Sequence, residues 1–503
     1  MTVYNHSAVL VNFRLPVPFL LSGSTLFRVQ LSFIFTPSFI IKLFIMKQLK
    51  KLLIPLLLFV VLYSCKKADR LSEPLTSDAA SSSKAQHAVP KPSEESADVV
   101  YQWYNYISAL QRPGSQTNPI IAMRYFAYIG IGLFESVQPG IKGGSSFGPK
   151  LIEMPVMPKP DHSKEYLWSA SANAALSSLF KLFIANLSAA NKVSIDANEL
   201  ATYNQLKLTT SEDVLKRSEA FGRSIAQAIW DWSTTDNFSV ASTSYTQVNE
   251  PWAWVPTPPA NAPPFAADLR YSRPLLKYTL TALAPPIPVP YSEDPNSAFF
   301  AAAKEVQDLG GTLTATAANK ATANWWADAG GVGVGVPAPY HLLAIITSVL
   351  ESQHAGLWKA AEVYAKSGIA MKDGGIITFR SKYHYNLLRP ITYIRRHMDA
   401  SWLSHLPNPA YPDYSSGLVG FFGPVMQVLI NEFGDIPVTD NTYGWRGDQP
   451  RQYNSISQMR LEAALSRVYA GIHYRFTQMT SIDIGIDLAN EIDKVRVVGP
   501  EYQ

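Results

Sequence analysis

The spacing of apolar residues predicts α-helices along almost the whole chain, and this constrains the fold more than any other feature. Asn118 before Pro119 is the pattern of a helix N-cap followed by proline at the first helical position, and this helix should run to about Val137. Thr210 or Ser211 should cap a second helix, whose buried face recurs at spacings of three and four residues: Val214, Ser218, Phe221, Ile225, Ile229 and Trp232. Convincing period-two strands are absent from the sequence, so we expect an all-α fold.

Two segments echo each other at a constant offset and favour a fold of two stacked helical bundles. Residues 126–135 begin Phe-Ala-x-x-Gly and end in Glu; residues 364–373 begin Tyr-Ala-x-x-Gly and end in Asp. Small residues at matching positions let helices approach closely. Chance similarity between two amphipathic helices is the alternative explanation.

A segment rich in proline and aromatic residues, 243–290, separates the two helical regions and predicts a long irregular connection. We expect Trp252, Trp254 and Tyr271 to pin it to the helices. The helical regions on either side are assigned to an N-terminal domain, 99–290, and a C-terminal domain, 291–503.

The N-terminal region has the pattern of an exported lipoprotein. Met46 opens a basic stretch, residues 52–62 are an apolar run of signal-peptide length, and Leu-Tyr-Ser-Cys ends at Cys65. We therefore interpret 46–64 as a lipoprotein signal peptide, Cys65 as the lipidated residue and 65–98 as a flexible tether. An uncleaved anchor helix with an incidental cysteine is the alternative. Residues 1–45 are interpreted as an upstream extension from an early start codon, with an extra membrane segment as the alternative. The chain would then be anchored to a bacterial membrane, facing the periplasm or the cell surface.

Composition excludes several other classes. Cys65 is the single cysteine, so the chain has neither an internal disulfide framework nor a thiolate metal cluster. The formal charge is only +4, and no basic block with interleaved aromatic residues indicates nucleic-acid binding.

Three short segments carry residues suited to an oxyanion. Lys382, Asn386 and Arg389 are spaced to share one helix face, and Pro390 should end that helix. Ser416 and Gly417 should begin a helix whose free N–H groups bind anions. Each of these patterns, taken alone, is more often a solvated basic face or a plain cap.

The third segment contains Arg467 and His473, which are six residues apart and therefore do not share a face of one straight helix. Gly471 between them offers a break that would bring both to one pocket. A neutral histidine can attack phosphorus or coordinate a metal-oxide centre.

Together the three segments resemble the superfamily that joins type 2 phosphatidic acid phosphatases and vanadium-dependent haloperoxidases, and the larger bacterial haloperoxidase-like members in particular. Its pattern is Lys-x6-Arg-Pro, Pro-Ser-Gly-His and Ser-Arg-x5-His. The matching positions here are Lys382, Arg389, Pro390, Ser416, Gly417, Ser466, Arg467 and His473. The resemblance implies that Lys382, Arg389, Ser416, Gly417 and Arg467 hold phosphate or vanadate. It implies His473 as the phosphate nucleophile, with no cofactor required, or as the single ligand of vanadate.

One position departs from the pattern. Leu418 stands where the superfamily has the histidine that protonates the leaving group and later activates water. Three interpretations stay open: another residue substitutes, with His384, His405, Tyr414 and Asp413 near in sequence; the protein is an impaired phosphatase; or it is an anion-binding protein without chemistry. Haloperoxidase activity is the least favoured, because peroxide handling depends on the missing histidine. Asp328 is a candidate for orienting Arg467 or balancing the charge of the pocket.

A third class of function is also open. The aromatic segment around Trp252, Trp254 and Tyr271 is compatible with a glycan- or nutrient-binding lipoprotein, whose binding would not depend on Arg389.

Overall fold

Helix boundaries in the computed structural model follow the capping residues of the sequence. Asn118 Oδ1 accepts a hydrogen bond from Ile120 N–H (2.9 Å), and the helix runs from Pro119 to Val137 as predicted. Ser211 directly precedes the helix predicted there. The structure describes residues 94–112, 117–184, 187–328, 335–495 and 497.

The described α-helices confirm the all-α fold class. They are α1 (Asp98–Gln111), α2 (Pro119–Val137), α3 (Trp168–Phe183), α4 (Ala189–Leu206), α5 (Glu212–Ser233), α6 (Ala298–Gly310), α7 (Ala317–Trp325), α8 (Ala338–Ser352), α9 (Leu357–Tyr385), α10 (Pro390–His397), α11 (Gly417–Phe433), α12 (Ile456–Tyr469) and α13 (Arg475–Asp493). Two short strands, β1 (Val438–Asp440) and β2 (Arg451–Tyr453), pair antiparallel with Val438 opposite Tyr453. The sequence did not predict this pair, because three residues are too few to show a period of two.

The α2–α9 crossing joins two groups of helices, α2 with α3 and α5, and α9 with α11 and α13. A β-carbon at Gly130 of α2 would lie 2.5 Å from the carbonyl oxygen of Tyr364, and one at Gly368 of α9 would lie 2.6 Å from that of Phe126. The two echoing segments therefore pack on each other through their glycines. Each glycine is required because the facing backbone leaves no room for a side chain.

Helix α2 is also the one described stretch that is long and apolar enough to cross a membrane. Within residues 119–140, a window of 18 residues has a mean hydropathy of 1.4, and 83% of this window is buried inside the fold. The same length and composition are found in the core helix of a globular protein.

The segment 243–290 is largely irregular, as predicted, and its only helices are two short 3-10 helices, Ala267–Tyr271 and Tyr278–Leu280. Two of its aromatic residues attach it beside the end of α9. Trp254 N–H donates to the carbonyl oxygen of Asn386 (2.8 Å), and Leu388 N–H donates to that of Trp252 (2.9 Å). The expectation for Tyr271 was wrong, since its side chain is 57% exposed at the surface.

The predicted shared face of Lys382, Asn386 and Arg389 is also wrong. Helix α9 ends at Tyr385, because Asn386 adopts a left-handed conformation (φ +48°) and its N–H closes the helix on the carbonyl of Lys382. Pro390 does not end that helix but begins α10, with Arg389 as its N-cap. Arg389 is therefore aimed by an extended link between two helices.

The described helices all belong to one compact unit, 86–503. The domain boundary at residue 290 stays a prediction. Residues 1–45, the signal peptide 46–64 and Cys65 lie outside the described residues.

Candidate active site

A cavity of about 450 Å³ opens at the N-terminus of α11 and the C-terminal side of α12. Two of the three predicted segments line it, through Gly417, Leu418, Arg467 and His473. Lys382 and Arg389 of the first segment are not in the lining but are fully buried against it, beside Tyr411 and His473. The lining residues used below are Asp328, Tyr411, Gly417, Leu418, Arg467 and His473.

His473 turns one ring nitrogen toward Asp413 and the other toward Arg389, at a long hydrogen-bond distance. Its Nδ1 lies 2.8 Å from Asp413 Oδ1, and its Nε2 lies 3.4 Å from Arg389 Nη1. Asp413 is fully buried, and its other oxygen accepts the hydroxyl of Thr477. A carboxylate that accepts Nδ1–H fixes the tautomer and leaves the Nε2 lone pair available.

Burial lowers the pKa of His473 to about 3, and the positive charges of Arg389 and Lys382 lower it further. The carboxylate of Asp413 acts in the opposite direction but does not outweigh them. The ring is therefore neutral at physiological pH. A neutral imidazole beside a cationic group is the form that can attack an electrophilic centre or ligate one.

Arg389 is held by backbone carbonyls but keeps one free donor. Its Nε donates to the carbonyl of Tyr411 (2.9 Å) and its Nη1 to that of Ile472 (2.7 Å). Nη2 is buried and has no hydrogen-bond partner. A buried guanidinium N–H without an acceptor costs free energy, and an anion beside His473 would supply the acceptor.

Arg467 reaches the same cavity because α12 ends at Tyr469. Gly471 follows with φ +77°, a conformation that favours glycine, and the chain turns so that Arg467 and His473 line one cavity. The guanidinium of Arg467 donates to the carbonyls of Ala323 (3.4 Å) and Trp326. Burial lowers its pKa to about 10, against the charge of Asp328, so it remains a cation at neutral pH.

The N-terminus of α11 contributes backbone N–H groups. Ser416 is the N-cap, as predicted, and its Oγ accepts a hydrogen bond from Val419 N–H (3.4 Å). The amides of Gly417 and Leu418, in the first turn, have no acceptor within the helix. Both residues line the cavity, so the positive end of the helix faces it.

Lys382 supports the site from behind. Its ammonium group is fully buried and donates to the carbonyls of Pro412 (2.9 Å), Asp413 (3.1 Å) and Ser415. These three bonds hold the loop that leads into α11. A direct bond from Lys382 to a bound anion stays a prediction.

Leu418 lines the cavity. None of the four residues considered as substitutes from the sequence lies free in it. His384 is exposed, His405 Nε2 bonds Asn324 Oδ1 (2.9 Å), Tyr414 donates to the carbonyl of Pro285 (2.8 Å) and Asp413 holds His473.

Asp328 lines the cavity and belongs to a buried hydrogen-bond network with His341 and Asp440, called the far wall below. It is not a solvated loop carboxylate. His341 Nδ1 lies 2.7 Å from Asp328 Oδ1, and His341 Nε2 lies 2.8 Å from Asp440 Oδ2. The two carboxylates outweigh burial and raise the pKa of His341 to about 10, so this histidine is an imidazolium. Sequence reasoning missed His341, since its partners are distant in the chain.

The cavity is lined by one guanidinium group, a helix N-terminus and one neutral histidine, and the guanidinium of Arg389 is buried beside that histidine. This set of groups suits a small tetrahedral oxyanion. Phosphate and vanadate both fit this set, because each offers oxygens for the free Arg389 Nη2 and a central atom for His473 Nε2. The chain is thus an all-helical protein with a candidate oxyanion site.

Comparison with known proteins places this fold among the vanadium haloperoxidases. Residues 362–497 match the family model of the second helical-bundle domain of vanadium chloroperoxidase. A 176-residue stretch, 25% of the chain, is 23% identical to vanadium chloroperoxidase of Curvularia inaequalis and covers 29% of that protein's length.

Solved structures agree over a longer range. A bacterial vanadium-dependent iodoperoxidase superposes with a TM-score of 0.71 and 25% identity, over 82% of this chain and 99% of that one. A bacterial vanadium-dependent chloroperoxidase in its holo form superposes with a TM-score of 0.56 and 15% identity, over 78% of this chain and 97% of that one. The predicted resemblance to the phosphatase–haloperoxidase superfamily is confirmed.

Proposed function

We propose that the protein hydrolyses phosphate monoesters through a phosphohistidine at His473, slowly because Leu418 replaces the usual acid–base histidine. The observation that carries the proposal is the pair formed by the Asp413-oriented imidazole and the unpartnered Arg389 Nη2 beside it. A nucleophile on the cavity wall and a buried cation that lacks an acceptor then lie side by side.

In the first step His473 Nε2 attacks phosphorus while the bond from phosphorus to the ester oxygen breaks. Asp413 stabilises the positive charge that develops on the ring, since it already accepts Nδ1–H. Arg389, Arg467 and the amides of Gly417 and Leu418 stabilise the charge on the non-bridging oxygens.

In the second step water attacks the phosphohistidine, and a base must take its proton. Leucine cannot take it, and general acid–base help is worth about 10²–10⁴-fold. We expect the first step to outrun the second when the leaving group is activated.

Vanadate-dependent oxidation is the second candidate, favoured by the likeness to the bacterial vanadium-dependent iodoperoxidase. His473, Arg389 and Arg467 would hold vanadate, which supplies Lewis-acid activation of peroxide when it is bound. His473 would again need its Nδ1–H on Asp413, so that Nε2 stays a ligand. The missing histidine makes this candidate weaker than hydrolysis.

The chain is also proposed to be an exported lipoprotein anchored to a bacterial membrane through Cys65, acting on a small phosphorylated ligand. The basic start, short apolar run and cysteine of residues 46–65 support this placement. Metabolic labelling of the full chain with a fatty acid tests it. Label that persists in Cys65→Ser would contradict it.

Trapping of the covalent intermediate tests the activity. The full chain is mixed with p-nitrophenyl phosphate, quenched in alkali and analysed for phosphohistidine by mass spectrometry, beside His473→Asn. We expect about one phosphoryl group per chain on His473 and none in the variant. Phosphate binding without any phosphohistidine would reduce the protein to an anion-binding lipoprotein.

A further inference from the structure

We propose that Tyr411 is the proton donor to a poorly activated leaving oxygen, and so takes, for such esters, the role lost at Leu418. An activated aryl ester leaves without this proton, so Tyr411 then stays a phenol and cannot serve as the base of the second step. This inference rests on the phosphomonoester hydrolysis proposed above. It follows from where the Tyr411 hydroxyl lies and from what surrounds it.

The ring of Tyr411 lies against both buried cations of the first motif. Its centroid is 4.8 Å from Lys382 Nζ and 5.0 Å from Arg389 Cζ. Arg389 Nε also donates to the backbone carbonyl of Tyr411, and Phe379 packs edge-on at 5.2 Å. These contacts fix the ring beside the guanidinium whose Nη2 lacks a partner.

The hydroxyl of Tyr411 lies at the start of α11. A β-carbon at Gly417 would be only 3.2 Å from this oxygen, so the hydroxyl occupies space that the glycine leaves open, one residue before Leu418. Tyr411 and Gly417 both line the cavity. Within the described part of the chain, no hydrogen bond involves the Tyr411 hydroxyl, so its proton is free for a ligand.

The electrostatic setting suits a donor. Burial raises the pKa of Tyr411, which keeps the phenol protonated at neutral pH, while the charges of Arg389 and Arg467 oppose that rise. The two guanidinium groups therefore stabilise the phenolate that forms when the proton leaves.

The proton balance closes over the two steps. As His473 Nε2 bonds to phosphorus, the phosphorus–oxygen bond breaks and the leaving oxygen receives the Tyr411 proton. Water then attacks phosphorus, the phosphorus–nitrogen bond breaks with its electron pair returning to Nε2, and the phenolate takes the water proton. Tyr411 is a phenol again at the end of the cycle.

The test compares leaving groups, because proton donation matters most for a poor one. In the full chain, Tyr411→Phe should lower turnover of n-butyl phosphate by about 10²–10⁴-fold. It should lower phosphorylation of His473 by p-nitrophenyl phosphate by less than about fivefold, since that leaving group needs little protonation. Phosphate affinity should stay unchanged, which shows that the cavity is intact.

Tyr385→Phe is the matched control, because it removes another tyrosine hydroxyl, one that donates to the carbonyl of Ala284 (2.7 Å) outside the cavity. Asp328→Asn tests the one carboxylate among the described lining residues. Adding Leu418→His to Tyr411→Phe should restore butyl phosphate turnover, because it returns a donor to the same helix turn.

Each outcome decides between the claims. A parent chain that forms no phosphohistidine with either ester overturns the hydrolysis, and the proton-donor role falls with it. If the parent turns over, and Tyr411→Phe has the same ratio of n-butyl phosphate to p-nitrophenyl phosphate rates as the parent, this inference alone is overturned. A selective loss in Asp328→Asn, with Tyr411→Phe unchanged, would assign the proton to the far wall instead.

Discussion

His473 Nδ1 lies 2.8 Å from Asp413 Oδ1, with both side chains buried, so the orientation of the candidate nucleophile is set by a residue 60 positions earlier in the chain. Because the carboxylate accepts Nδ1–H, the other nitrogen is left to meet the ligand. The protein thus retains a directed nucleophile although a second histidine is missing.

Asp413→Asn should therefore lower the rate of His473 phosphorylation by about 10–100-fold, the range typical of residues that orient a ligating or reacting histidine. Single-turnover mixing with p-nitrophenyl phosphate measures this rate. Asp435→Asn is the control, since it changes an exposed aspartate that bonds Ser457. Equal rates in the two variants would remove Asp413 from the mechanism.

Arg389→Lys should weaken phosphate and orthovanadate binding by about 10-fold or more, because a charged hydrogen bond contributes about 1.5–3 kcal/mol and lysine cannot place a donor at the Nη2 position. Calorimetric titration of each anion gives the dissociation constants. Arg395→Lys on α10, which is half-exposed, should bind as the parent does. Unchanged affinity in Arg389→Lys would contradict the assigned role of Nη2.

Replacing His341 by glutamine should make stability less dependent on pH. The folded pKa of about 10 lies above the usual 6.5, so the charged His341 stabilises the fold fully below about pH 6.5, and this contribution is lost as pH rises through 10. Removing one partner of a buried ion pair costs about 3–5 kcal/mol.

Urea unfolding at several pH values measures this effect. The gap between parent and His341→Gln should be largest near pH 6.5 and should shrink toward pH 10. His384→Gln, an exposed histidine, is the control and should follow the parent. A gap that does not change with pH would show that His341 is neutral in the fold.

Gly130→Ala should destabilise the fold by about 1–3 kcal/mol, because the added methyl group would meet the carbonyl of Tyr364 at the α2–α9 crossing. Gly423→Ala on α11 is the control: its nearest neighbours, Val419 and Ser481, would lie at 3.4 and 3.6 Å, an ordinary contact. Thermal unfolding of both variants tests this. A loss in Gly130→Ala no larger than that in Gly423→Ala would contradict the close approach at the crossing.

Local signals in the sequence predicted much of the fold. The starts of α2 and α11 follow from Asn118 and Ser416, because a capping side chain acts within three residues. The end of α9 was mispredicted, since the left-handed turn at Asn386 is stabilised by pairing with the distant segment around Trp254.

The convergence of the site could be anticipated from the order and spacing of the three motifs. The residues that tune the site could not be anticipated from the sequence. Tyr411 has no motif of its own, and the Asp328–His341–Asp440 network joins residues up to 112 positions apart, which only the folded chain brings together.

Rapid mixing of the full chain with excess p-nitrophenyl phosphate tests the central claim most directly. The account predicts a fast release of about one equivalent of p-nitrophenolate per chain, then a much slower steady phase, and no fast phase in His473→Asn. Release at the same rate in the parent and in His473→Asn, or no release by the parent, would contradict it.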